Sequence, residues 1–572
     1  MKNILAKLAL PALTILTLFF LLGNRPLNEP DEGRYSEVAQ EMMETGNWLV
    51  PHFWYLPHLD KPPLVYWLEA ASLKVFGQNE WAVRLPVALA GISGVWATFL
   101  LGRELGGRRV GVSSALMLQC TILYWGLARL LTTDIFLTQF TAWAIYFFWR
   151  SWTVKETGKA QFFRWHLASW LAIALGFLTK GPVALAIPVV SFLALLFFRR
   201  KQIPKIVYAG LAAGFVLFLV VAAPWFLVVF QRVPGSAHYM IFGQAAGHLL
   251  GTTIKNRSGI PGYYFGVLAI GLLPWTLLLG WLWRRSYWRN LDSKSKDGWL
   301  LLSVWAIFTF TLFSFSSAKL PTYILPIFPA LAILLAWRFL GNNQAATSAP
   351  KIIWQIGLGA TFVLPVIFPL VVFFLMHDKL PWWLECQVPI ALAVLVLAVR
   401  QARKWEPKTI AAFTVGLGLC GLLLTIAEFP LFDFNFKSNQ PLDQIGLSLR
   451  QNFRPGDAVV CWGRLPQSLP FYSVGIITET NRAFLGDMSL SQVPFEFPGN
   501  LQRLGSLYLD DKGLAALLHG NRGVLVVGFG NEVENFQKNH PDISLEAISH
   551  SGKWTLYSKN SRAGGPENGG AL

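Results

Sequence analysis

The sequence predicts a polytopic α-helical membrane protein of about thirteen transmembrane helices, followed by a small extracytoplasmic α/β domain. Three observations predict this. Apolar stretches near 20 residues long recur along the chain, basic residues gather in alternate connecting segments, and the composition turns polar after about residue 437. The 572 residues are 54% hydrophobic and 14% charged, with 25 Trp and 43 Phe. A soluble domain carries about a quarter charged residues.

A helix needs about 20 apolar residues to cross a bilayer, whose core offers no water to unpaired backbone groups. Thirteen stretches qualify, roughly at 4–22, 81–101, 110–128, 133–149, 167–180, 182–198, 206–230, 263–283, 299–317, 322–340, 352–375, 384–399 and 409–428. Two of them, 167–180 and 384–399, are short, so the count holds to within one. Lys2 and Lys7 precede the first stretch as in a secretory signal. No small-x-small cleavage site follows, so the expected reading is a retained anchor.

The net charge is +17, which would suit a polyanionic partner if it were concentrated. Its distribution excludes nucleic acid. With the N-terminus inside, the short inner segments hold 24 Lys and Arg. The short outer segments hold seven: Arg129, Lys180, Arg232, Lys255, Arg257, Lys319 and Lys379. That asymmetry is the positive-inside pattern, and it reports orientation and contact with the inner leaflet's lipids. An odd number of spans then places loop 24–80 and the C-terminal region outside, facing the periplasm or exterior of the plasma membrane. Cys120, Cys386 and Cys420 lie in spans and Cys461 alone lies in the polar part, which excludes a disulfide framework and metal-type cysteine spacing.

Residues 1–431, including loop 24–80, are expected to form the membrane unit, residues 437–560 the α/β domain, and 561–572 a disordered tail. In the α/β part "DAVVCWG", "VGIIT", "GVLVVGF" and "WTLYS" are β-rich runs, with helical patterns at 441–452, 511–519 and 531–539. "VLVVGFGNEVENF" has the strand, GxG and helix of a dinucleotide site. Val533 stands at the third glycine position and no ribose-binding acid follows, which favours a plain strand-to-helix turn.

Loop 24–80 carries two amphipathic patterns. Tyr35, Val38, Ala39, Met42 and Met43 form one apolar stripe, and Leu64, Trp67, Leu68, Ala71 and Val75 another, both suited to the membrane interface. Charged residues stand at the ends of both. Lys61 precedes Pro62-Pro63, Lys180 precedes Gly181-Pro182, and Lys319 precedes Leu320-Pro321. Proline suits the first turn of a helix, and a lysine beside free N–H groups at a helix start favours an anion. One such lysine is ordinarily a snorkelling residue. Three on one face point to an anion site.

Asp31, Glu32, Asp60 and Asp134 share that outer face. Capping explains one acid, but an acid at the bilayer edge costs about a kcal/mol or more. A sugar attached to a lipid phosphate fits the combination. Lysines hold the phosphate and stabilise its charge as the sugar–phosphate bond breaks, and a carboxylate orients or deprotonates the attacking group. Tyr323 offers a hydroxyl to the same phosphate.

The stretches "EPDEGRYSEVAQEMMETGNWLVPHF", "LDKPPLVYWLEAASLKVFGQNEWAVRLP", "LTTDIFL", "GFLTKGPVALAIP" and "SAKLPTYILPIFPALA" resemble family 39 glycosyltransferases. That family comprises protein O-mannosyltransferases and, closer to this chain, bacterial aminoarabinose–lipid A transferases. The resemblance runs from about residue 28 to 335. It implies a GT-C fold, a polyprenyl-phosphate sugar donor, inversion at the anomeric carbon, and a lipid, glycan or protein acceptor.

Carried across residue by residue, it implies Asp31 as the catalytic aspartate, with Glu32 and Arg34 beside it. Asp60 takes a position commonly Glu, Lys61, Lys180 and Tyr323 match phosphate-binding positions, and Asp134 matches a second aspartate. Relatives carry an acid-His pair and an Arg after the seventh span. Here Gln244, Gly247 and His248 stand there with no Arg before Arg257, which leaves His248 and Arg257 as candidate phosphate ligands. Lys319 joins them through the lysine pattern. No cofactor is required, although a divalent metal beside Asp31 and Asp60 stays open. The alternatives are a polyprenyl-lipid transporter without transferase activity, which should carry charges near the midplane and related halves, and a scaffold for the outer domain.

Overall fold

The structure, a computed structural model, describes residues 11–246, 260–282, 291–340, 442–485 and 508–559, with positions 13, 157 and 274 excepted. The expected spans at 352–375, 384–399 and 409–428, together with the tail at 561–572, lie outside the described residues. By internal contacts the chain divides into two units: 1–22, 61–65 and 84–432 form one, and 23–60, 66–83 and 433–572 the other.

In the first unit, five described segments are long and apolar enough to cross a membrane: Glu80–Gln119, Lys159–Lys180, Lys205–Arg232, Ser293–Phe315 and Pro321–Phe339. The 40-residue Glu80–Gln119 run breaks at Gly107, whose φ of 84° suits a residue without a Cβ, so it supplies two of the expected spans. Helix Pro182–Phe198 begins on a proline, as the sequence predicts. Without a hydrophobic drive between helices in lipid, close approach and side-chain bonds hold such segments together. Gly214 lets Lys205–Arg232 close on Trp170, where a Cβ would lie 1.9 Å from the ring. Phe148 stacks on Phe192 with centroids 3.8 Å apart, and Ser169 Oγ donates to the Ala144 carbonyl at 2.8 Å.

The C-terminal end of the first span is held by arginines. Arg129 donates to the carbonyls of Thr17 and Leu18, each at 3.2 Å, and of Phe20 at 2.7 Å, while Arg84 donates to Leu22 at 3.1 Å. The last carbonyls of a helix have no partner within it, and a guanidinium satisfies them while complementing the helix dipole.

The second unit is built on a six-stranded sheet. Two short strands of the outer loop, β1 (His52–Phe53) and β2 (Leu56–Pro57), form a separate hairpin. The sheet contains β3 (Ala458–Trp462), β4 (Arg482–Leu485), β5 (Tyr508–Leu509), β6 (Val524–Phe529), β7 (Leu545–Ser551) and β8 (Trp554–Lys559), in the order β5-β4-β3-β6-β8-β7. The first four are parallel and the last two antiparallel. The central β3 is buried at every position, as a strand covered on both faces must be. Helices Asp443–Asn452, Asp511–His519 and Glu532–Asn539 fall on the expected helical patterns. The "VGIIT" run is not a strand. Val474 at φ 30° and Gly475 at φ 70° turn the chain there, and the strand follows at β4.

The outer loop was expected to belong with the spans; by contacts 23–60 and 66–80 group with the C-terminal residues, while Lys61–Val65 stays with the spans. The reason is where its buried polar groups find partners. In helix Asp31–Thr45 the residues Glu32, Glu37, Gln40 and Glu41 are buried along with Tyr35, Val38, Ala39 and Met42 of the apolar stripe, so the helix is enclosed on more than one face. Gln40 Nε2 donates to the Pro470 carbonyl at 3.4 Å, and Gln78 Nε2 to that of Phe471 at 2.6 Å. The turn of the β1–β2 hairpin is Trp54-Tyr55, at φ 53° and 59°. Two-residue hairpins favour this left-handed geometry, but non-glycine residues adopt it at a cost of about 1 kcal/mol or more each. Glu37 accepts the Trp54 amide and Glu41 the Tyr55 amide, both at 2.8 Å, which offsets that strain. The turn reaches C-terminal residues: Trp54 packs on Phe484 at 5.4 Å, Tyr55 Oη donates to the Ile477 carbonyl at 3.1 Å, and the Arg482 guanidinium lies 5.0 Å from the Tyr55 ring.

In helix Leu64–Phe76 the buried face is Val65, Tyr66, Glu69, Ala70, Ser72 and Leu73. The expected apolar stripe lies on the other side, with Leu68 39% and Val75 71% exposed, as an interfacial face should be.

Burial, with Glu41 one turn away, pushes the Glu37 carboxyl well up, and burial pushes Glu41 up to about 7, so the pair holds a proton at neutral pH. Both bind that proton more tightly folded than unfolded. Stability from this pair is therefore fullest below the ordinary carboxylate value of 4.5 and falls as pH rises through about 7. Glu41→Gln should flatten that fall. We expect its thermal midpoint in detergent to match the parent at pH 4.5 and exceed it at pH 8, with a gain of about 3 kcal/mol at most. Equal midpoints at pH 8 would dispose of the shared proton.

Candidate functional site

In the first unit the structure brings together three residues far apart in sequence. Asp134 lies in the first turn of helix Thr133–Val154, and Lys180 closes helix Lys159–Lys180 just before Gly181 and Pro182. Their side chains form an ion pair, 6% and 8% exposed. The Lys180 ammonium also stands 4.4 Å from the centre of the Tyr323 ring. Tyr323 packs on Phe313 at 5.7 Å, and Phe313 on Tyr264 at 6.4 Å. A buried charge must be paired, and the ring face adds a cation–π attraction. An ammonium has three donors, so Lys180 can hold Asp134 and still offer a bond to an incoming phosphate.

Lys319 is placed differently from the expected phosphate ligand. Its ammonium donates to the carbonyls of Ser314 and Ser316, both at 2.8 Å, at the end of helix Ser293–Phe315. It serves that helix's C-terminal carbonyls, while its charge stays 5.8 Å from the Tyr264 ring. Tyr264 Oη in turn donates to the Leu320 carbonyl at 3.0 Å. Lys61 is half-buried directly before Pro62-Pro63. His248 and Arg257 lie outside the described residues.

In the second unit, Asp31 opens helix Asp31–Thr45 with its side chain 57% exposed, ion-paired with Arg34 one turn on. The Arg34 pKa is raised. Burial is the largest single influence and opposes its charge, but Asp31, Tyr35, Asp60 and Tyr66 together outweigh it. This guanidinium therefore supplies positive charge beside Asp31 and Asp60, where the sequence left a metal open. Among the described residues no group of three or more His, Cys, Asp or Glu is arranged to hold a metal ion.

Glu32 differs from its neighbour. It is buried, with its oxygens 2.5 and 3.1 Å from the Arg25 guanidinium and 2.9 Å from the Asn28 amide. Its carboxylate holds the chain entering the helix.

The sequence reading passed over Glu69 and Tyr66. Tyr66 stacks on Tyr35 with centroids 5.6 Å apart. Glu69 is fully buried and neither carboxyl oxygen meets a hydrogen-bond partner. Burial, with the charge of Glu32 nearby, pushes its pKa well up and keeps it a neutral acid. The signal was an acid on an otherwise apolar helix face, "VYWLEAASL".

Comparison with known proteins follows this geometry. Residues 60–226 match the family described as dolichyl-phosphate-mannose-protein mannosyltransferase. A curated relative from Edwardsiella ictaluri, named undecaprenyl phosphate-alpha-4-amino-4-deoxy-L-arabinose arabinosyl transferase, is 33% identical over 63% of this chain and 64% of its own length. One of the same name from Erwinia tasmaniensis is 31% identical over 62% of this chain and 64% of its own. The matches thus span a little under two thirds of these relatives. Among solved structures, the crystal structure of ArnT from Cupriavidus metallidurans bound to undecaprenyl phosphate superposes with a TM-score of 0.78 at 23% identity, covering 98% of both chains. Its apo form gives 0.79 at 22% identity, over 99% of this chain and 100% of that one. The fold is the GT-C fold that the motifs implied, the chain is integral to the membrane, and the resemblance to aminoarabinose-type glycosyltransferases is borne out.

The Asp134–Lys180 pair makes a test of stability separate from activity. Asp134→Ala should cost about 3–5 kcal/mol by leaving a buried ammonium unpaired. Adding Lys180→Met should recover much of that loss, read as thermal midpoints in detergent. Additive losses would mean that the two charges do not depend on one another.

Proposed function

We propose that this chain, with its GT-C fold and its family 39 motifs, is an inverting glycosyltransferase. It moves a sugar from a polyprenyl-phosphate donor to a lipid, glycan or protein acceptor on the outer face of the membrane. The observation that carries the reading is the buried Lys180 ammonium between Asp134 and the Tyr323 ring. It lies in a fold that matches, along nearly its whole length, a protein solved with undecaprenyl phosphate. The relatives' names make undecaprenyl-phosphate-linked aminoarabinose the first donor to try.

The roles divide by chemistry. Lys180, with Lys61 and the Tyr323 hydroxyl, holds the donor phosphate and stabilises its charge as it leaves. The acceptor oxygen attacks the anomeric carbon opposite the phosphate, the carbon–oxygen bond to phosphate breaks, and polyprenyl phosphate departs. A hydroxyl acceptor passes its proton to Asp31, whose exposed carboxylate is open to substrate; Glu32 is taken up by Arg25. A phosphate acceptor is already anionic, and Asp31 then orients it through Arg34. The outward orientation rests on the 24-to-7 distribution of basic residues.

Asp31→Asn should lower turnover about 100-fold or more while donor binding stays intact. Lys61→Ala should instead weaken donor binding about tenfold or more. Both are read by transfer of labelled sugar from polyprenyl phosphate and by lipid binding to the purified protein. Full turnover in the Asp31 variant removes that residue from the chemistry, and unchanged donor affinity in the Lys61 variant removes that lysine from the phosphate site.

A further inference from the structure

Two residues before Asp31, the Glu29 carboxylate is buried and bound to C-terminal backbone. Its oxygens accept the amide of Gln467 at 3.1 Å and that of Ser468 at 2.7 Å. These amides follow the carboxyl end of β3, where the strand order reverses: β4 and β5 lie on one side of β3, and the chain then crosses to β6 on the other. Doubly wound sheets hold their ligands outside the strand carboxyl ends at that reversal. Here a carboxyl group of the chain itself sits there; burial pushes its pKa up, against the Ser468 and Gln467 bonds and the charge of Arg464, which favour the ionised form.

The neighbouring bonds point the same way. The Leu27 amide donates to Tyr472 Oη at 2.6 Å, and the amides of Glu32 and Arg34 close on the carbonyls of Asn28 and Pro30. Gly33 is needed for this approach, because a Cβ there would lie 2.6 Å from Glu29 Oε1 and 2.7 Å from the Ser468 nitrogen. The first helical turn, which carries Asp31, is therefore fixed by its own backbone to the β3 loop.

We propose that Glu29 is a positioning residue, through which the C-terminal segment sets the place of Asp31 for sugar transfer. The inference rests on the transferase reading. Misplacing a reacting group by about 1 Å can cost about 100-fold in rate, so the bond should act on turnover rather than on donor affinity.

Glu29→Gln turns one acceptor oxygen into a donor facing an amide N–H, at nearly constant shape. In the full-length protein it should lower kcat at least tenfold with unchanged donor affinity. Glu29→Asp should restore part of that loss, and Gly33→Ala should reproduce it. Amide hydrogen exchange, measured beside it, should quicken at residues 31–34 and stay slow at 36–45. Wild-type kcat in Glu29→Gln, or unaltered exchange at 31–34, overturns the proposal, as does a kcat loss matched by an equal loss of folded protein. Wild-type protein that transfers no sugar from any polyprenyl-phosphate donor would instead refute the transferase reading, while exchange at 31–34 still reports on Glu29.

Discussion

A buried carboxylate must find donors or keep a proton, and the outer loop is organised by the ways its acids meet that demand. Glu29 takes two amides beyond β3, and Glu32 takes Arg25 and the Asn28 amide. Glu37 and Glu41 take the two strained amides of the hairpin turn and hold a proton. Asp31 differs from these four: it stays at the surface, paired with the Arg34 guanidinium. The buried acids around Asp31 are spent on architecture, while Asp31 itself stays open to solvent.

The basic residues of the segments that the charge distribution assigns to the outside obey a similar rule. A cation in those segments is uncommon, and three of the four described ones answer to a nearby acceptor. Arg129 and Lys319 serve helix-end carbonyls, Lys180 serves Asp134, and Arg232 lies in the last turn of its helix, where the dipole favours it.

Much of this was legible in the sequence. Period and length gave away the apolar helices, proline marked the starts of Pro182–Phe198 and the turn at Pro321, and the three helical patterns of the α/β part fell within a residue or two of place. Asp134, Lys180 and Tyr323 could be suspected as partners because they share a face. What could not be read was pairing across long separations. Nothing local to "NEPDEG" announces that Glu29 binds amides 438 and 439 residues away. A lysine before a helix start looks like an anion ligand whether or not it turns back, as Lys319 does, to cap the helix behind it. Glu69 was missed because one acid in an apolar helix breaks the pattern without indicating whether it will be charged.

The same long separations set a timetable for biosynthesis. Helix Asp31–Thr45 and its hairpin leave the ribosome early, but the Gln467 and Ser468 amides that receive Glu29 come some 439 residues later. At about 5–20 residues per second, that gap lasts roughly 20–90 seconds. Throughout it, five acids destined for burial sit in a loop whose partner does not yet exist. The polarity that makes them costly to bury keeps the waiting loop soluble, so the nascent chain is guarded by the residues that later lock it.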